Sequence, residues 1–154
     1  MSAASNYLED AVLDHVLKNT AYTQPTTLRV ALFSGTASDV LAALEAGDAT
    51  ATAGNWGYYE VLTSGTAYGR EAAIFDPASG GSATTSANIT FNTATANYNN
   101  TAGSGATITC IAIVDNATVG SGNVLFYGQL DNPKEVLSGD TFQVSAGNLT
   151  VSLA

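Results

Sequence analysis

The residues able to do chemistry in this chain are few. Its one histidine is His15 and its one cysteine is Cys110. No nucleophile–histidine pair backed by a second histidine can be assembled, and a zinc site needs three or four nitrogen or sulfur ligands, which one of each does not supply. Cys110 lies in the apolar run "TITCIAIV" (107–114), where a small buried hydrophobe is the expected role of a lone thiol. Carboxylates give a fairer chance, because sugar cleavage needs only two. Glu60 and Glu71 fall on neighbouring strand-like segments joined by a short loop, with Tyr58, Tyr59 and Tyr68 close by, so a sugar-binding or sugar-cleaving groove is one reading. Solvent-facing strand positions are the other, with Glu71 next to Arg70 in sequence but on the opposite face. The loops "DPASGGS" (76–82) and "DNATVGSG" (115–122) offer oxygens for calcium but lack the spacing of a dedicated calcium loop. Turns initiated by Asp or Asn account for both. No catalytic residue, metal ligand or cofactor-binding residue is assigned, and no cofactor is expected.

The charge narrows the partners. Thirteen Asp and Glu against Lys18, Arg29, Arg70 and Lys134 give a net charge of −9. Such a chain repels phosphate, and it has no basic patch with interleaved aromatics, so nucleic acid is not an expected partner. "MSAASNYLEDAVLDHVL" has no basic n-region and carries Glu9, Asp10 and Asp14, so no secretory signal is expected. No run reaches the roughly 18 apolar residues of a membrane helix, and a membrane is not an expected partner.

The elements that must carry these residues fit one domain, 1–154. At 15.6 kDa, about two-thirds of the unfolded surface can be hidden, enough for one core without metal or disulfide. The spacing predicts a helix over 6–18, with Asn6 as N-cap and Glu9 completing a capping box. Leu8, Val12, Val16, Leu13 and Leu17 are read as one apolar stripe, and Asn19 as a left-handed stop. "TTLRVALF" (26–33) alternates as a strand, and 38–46 reads as a short helix capped by Ser38 and stopped by Gly47. Residues 48–57, with Trp56, and the Asn/Thr-rich 92–105 read as loops, the second exposed.

From Tyr58 onward strands dominate: 58–63, 66–75, 86–91, 106–114, 123–130, 141–146 and 148–153. The segment 106–114 is apolar on both faces, as a covered central strand requires. The last two segments are expected to pair as a hairpin around Ala146-Gly147. The fold class is therefore mainly β: an antiparallel sandwich, jelly-roll-like, with an N-terminal helix and one further short helix. Only two lysines and three prolines are available to protect its sheet edges. Coverage by neighbouring chains, including copies of itself, is the expected solution.

Two stretches carry a resemblance: "SNYLEDAVLDHVLKNTAYTQPTTLRVALF" (5–33) and "LFYGQLDNPKEVLSGDTFQVSAGNLTVSL" (125–153). Their order of pieces, Thr20–Pro25, Tyr68–Ala72, Gly122–Leu130, Ser138–Asp140 and Ala146–Leu149, resembles that of small tailed-bacteriophage virion structural proteins, often labelled tail-fibre-like. The resemblance implies synthesis in a bacterial cytoplasm, residence in the virion, and other virion proteins, capsid or tail, as partners. It brings no catalytic residue. The first role expected is a capsid decoration or cement protein. The alternative is a tail fibre, collar or adhesin-type module touching host glycans, although a chain without coiled-coil heptads is not itself a long shaft. A soluble carbohydrate-binding module is the third. Candidate contact residues are Leu8, Val12, His15 and Val16 on the helix, and Trp56 with Tyr58 and Tyr59. For the helix, plain core is the competing reading.

Overall fold

The computed structural model describes residues 3–153. Strand β1 (Ala3–Ala4) leads into helix α1 (Asn6–Leu17), strand β2 (Arg29–Ser34), helix α2 (Ala37–Ala46) and the single helical turn α3 (Trp56–Tyr59). Then come β3 (Glu71–Ala72), β4 (Ser82–Thr84), β5 (Ile89–Thr90), β6 (Thr107–Val114), β7 (Val124–Glu135), β8 (Gln143–Val144) and β9 (Thr150–Ser152). The main sheet is antiparallel in the order β1-β7-β6-β2-β3, and two ribbons, β4-β9 and β5-β8, stand apart from it. The fold is mainly β and sandwich-like, as expected, with the second layer made of ribbons rather than one sheet.

Alternation along the strands explains the layering. Val30 and Leu32 of β2 join Ile111 of β6 on one face, packed with Tyr68, Ile89, Phe91, Tyr98 and Phe142. Ala31, Phe33, Cys110, Ala112 and Val114 point the other way, onto Val40, Ala43 and Leu44 of α2 and onto Trp56. The central strand is thus covered on both sides, which is why 110–114 is apolar throughout. Ile108 lies on the same face as Ile111, an odd spacing made possible by the register shift between Ile108 and Cys110. Across that shift Cys110 faces Gln129 and Ile108 faces Lys134, so 130–133 arches away from β6. Pro133, which has no N–H to give a ladder, sits in this arch.

Several local expectations need correction. The N-cap of α1 is Ser5, not Asn6: Ser5 is extended, its N–H bonds the Leu125 carbonyl at 3.0 Å, and its hydroxyl bonds the Val124 carbonyl. Strand β7 fixes where the helix begins, and Leu8 rather than Glu9 takes the third helical position. Asn19 does adopt the left-handed conformation, with φ of 57°. Helix α2 is capped by Thr36 instead of Ser38 and ends at Gly47 with φ of 80°.

The expected strand 58–63 is mostly absent. The Asp48 carbonyl accepts the Trp56 N–H at 3.0 Å and winds 56–59 into a turn. Only Glu60 and Val61 then touch the edge of β2, Glu60 bridging Phe33. Gly57 packs so tightly here that a Cβ would lie 2.1 Å from the Ala49 oxygen. Gly57→Ala is therefore expected to destabilise the protein by about 1–3 kcal/mol, measured as a lowered urea midpoint at unchanged slope.

The closing hairpin does not form either: β8 pairs with β5 and β9 with β4. The connecting turn wraps round Thr85, which takes the Gly147 N–H at 2.8 Å and gives its own N–H to Leu149 at 3.0 Å. The two strands leave that post in different ribbons. Loop 92–105 is also not simply exposed. It buries Ala94, Tyr98 and Asn100, and Tyr98 donates its hydroxyl to the Asn92 carbonyl at 2.6 Å. Finally, the edge strands β1 and β3 are two residues each, a length that itself limits edge pairing.

Candidate functional site

The carboxylate pair is resolved first. Glu60 is 1% exposed, and its carboxylate is gripped by Arg70 at both oxygens, Nε to Oε1 at 2.6 Å and Nη2 to Oε2 at 2.8 Å. The Gly120 N–H adds 2.8 Å to Oε2, and the Tyr68 hydroxyl lies 3.3 Å from Oε1. Burial, then the nearby Glu60 charge, pushes the Tyr68 hydroxyl well above the ordinary tyrosine range. Arg70 uses its Nη1 on the carbonyls of Asn116 and Ser121, each at 2.8 Å, and its guanidinium stands 5.4 Å from the centre of the Trp56 ring. Glu71, on β3, has no part in this cluster and is only half-buried. A sealed carboxylate held by a bidentate arginine does not meet an outside substrate. What the cluster does is fasten loop 115–122 to the core. Asp115 closes that loop by accepting the Asn123 N–H at 2.7 Å, and the turn chemistry expected at its start is made by Asn116, which accepts the Thr118 N–H at 2.8 Å.

Cys110 is buried, its sulfur 3.9 Å from the Ala37 carbonyl, and burial raises its pKa. Labelling by an aromatic disulfide reagent at pH 8 is expected to be at least about a thousandfold slower in the native protein than in urea, because the thiol reacts only through opening. Native labelling at the urea rate would contradict this burial.

The aromatic contact residues divide. Trp56 is fully buried, edge-on to Phe33 at 6.2 Å, and is core, not a contact for another chain. Tyr58 and Tyr59 are half-buried and edge-on to each other at 5.4 Å, with Tyr59 packed on the α2 core. They form no open platform together with Trp56.

The helix residues divide too, and the reason is geometric. Leu8 is buried against Ile113, Leu125 and Val151, with Val12 packed alongside. These two are core. His15 is exposed and accepts the Tyr22 N–H at Nδ1, 3.3 Å, tying the chain after the helix back to it. Val16 is the one apolar residue of the four that is widely exposed, at 70%, and it is joined by Leu13 at 54% and Leu17 at 75%. At about 100° per residue, Leu8 and Leu17 point in opposite directions, so the one stripe read from the sequence is two. Leu13 and Leu17 were visible as apolar residues, and a helical projection was the signal that separates them from the core. Beside them runs a trough lined by Ala4, Leu8, Val12, Leu13, Leu153 and Glu9.

No helix among the described residues is long and apolar enough to cross a membrane. A search of curated proteins finds no match. A family model, described as podophage GP4 fiber I protein gp80, matches residues 3–152, which includes the whole middle of the chain as well as the two ends that carried the resemblance. With all three helices and all nine strands inside the match, the chain belongs to the podophage GP4 fiber I protein gp80 family and is a phage virion structural protein.

Proposed function

We propose that this protein is a non-catalytic subunit of a fibre on the tail side of the virion, working through contacts with other virion proteins. The family match over residues 3–152 carries the reading, since the family is named for a fibre protein of a short-tailed phage. The chemistry of the fold supports it: the acidic residue best placed for catalysis, Glu60, is sealed against Arg70, and helix α1 carries four exposed large apolar side chains, Tyr7, Leu13, Val16 and Leu17. A shell-cement role, the other virion reading, makes a different prediction about location.

Purified particles separated into tails and empty heads give the test. The chain is expected to follow the tail fraction. If it stays wholly with the heads, the fibre reading is wrong and a shell role replaces it.

A further inference from the structure

We propose that helix α1 anchors the chain to a different virion protein, seating its Leu13–Val16–Leu17 ridge in an apolar trough whose rim carries lysine or arginine. This rests on the reading of the chain as a virion subunit. Three large aliphatic side chains, each more than half exposed, sit on one side of the helix, turned about 110° from the Leu8–Val12 stripe that is core. By helical projection they cover roughly 100° of the surface. The same projection puts Glu9 within the ridge, between Val16 and Leu13, and Asp10 and Asp14 just beyond Leu17, so carboxylates lie inside the ridge and along one side of it. Leu153, 58% exposed, continues the apolar surface across the neighbouring trough.

Charge selects the occupant. A second copy of this chain brings more carboxylates and almost nothing to meet them. Arg70 is closed on Glu60, Arg29 is half-buried, and Lys18 is taken by Asp14 at 2.7 Å on the same helix. Among the described residues Lys134 is the one exposed cation without an ion pair, against Glu9, Asp10 and Asp14 around the ridge. Like-charged rims brought together repel, while a basic rim is complementary and steers the encounter. The partner is therefore a different polypeptide with cations round an apolar trough.

The test uses phage particles that carry the full-length chain. Leu13→Ser with Leu17→Ser is expected to lower its copies per particle at least about tenfold, the change for losing one well-packed contact pair. Glu9→Gln with Asp10→Asn is expected to make the chain extractable at lower salt. Both pairs are exposed, so thermal melting of the purified variants should match the wild type, which separates lost docking from lost folding. A photo-crosslinking residue at position 16 names the occupant. A crosslink to another virion protein, in a segment bearing Lys or Arg on either side, supports the proposal. A crosslink to a second copy of this chain, or to a segment without cations, overturns it. Unchanged copy number for the leucine variant overturns it as well. Absence of the wild-type chain from particles is a different failure, that of the virion-subunit reading itself.

Discussion

Glu60→Ala is expected to destabilise the protein by about 3–5 kcal/mol, the usual cost of leaving one partner of a buried ion pair without its counter-charge. In a domain of this size that lowers the melting temperature by about 6–20 °C. Arg70 would keep its two carbonyl partners in loop 115–122 but lose the carboxylate at 2.6 and 2.8 Å, in a site closed to bulk solvent. Gly120 and Tyr68 would lose an acceptor at the same time. Removing both charges is different. Glu60→Met with Arg70→Met fills the space with apolar atoms, and is expected to recover most of the loss, because desolvating an ion pair offsets much of its attraction. A double-mutant cycle by urea unfolding measures the difference. A coupling near zero would mean that the two side chains do not meet as described.

Trp56→Ala is expected to cost about 3–5 kcal/mol as well, through the cavity it leaves between α2 and the sheet. Its ring lies edge-on to Phe33 and beneath the Arg70 guanidinium, so both contacts go together. Trp56→Phe separates packing from polarity. The indole Nε1 is buried with no hydrogen-bond partner among the described residues, and phenylalanine removes that unmatched donor while leaving a smaller gap. A loss of no more than about 1–2 kcal/mol is therefore expected for Trp56→Phe, well below that of alanine. Equal losses for the two would show that the donor does have a partner. A negligible loss for alanine would return Trp56 to the surface.

Periodicity carried the parts of the fold that were legible in the sequence. Helix α1, helix α2, the alternation of β2 and the doubly apolar β6 each follow from residue spacing within one element. Pairing was not legible. Residues 141–146 and 148–153 read as strands, and each holds one, at 143–144 and 150–152, but nothing local says that Thr85 stands between them and sends each to a separate ribbon. The Glu60–Arg70 cluster was hidden for the same reason, since its third party is a loop some 50 residues further along the chain. The sequence pointed to Glu60 and Glu71 as a pair because they are acidic and near in sequence, whereas burial selected the opposite charge. Helix α1 itself was legible, but its inward and outward leucines were read as one face.

The central claim is that this chain is built into the virion as a fibre subunit rather than coating its shell. Its copy number per particle, by quantitative mass spectrometry against the major capsid protein, tests that most directly. A low count, a small multiple of the tail's rotational order, is the predicted result. A count comparable with the capsid protein itself, or no copies at all in washed particles, would contradict it.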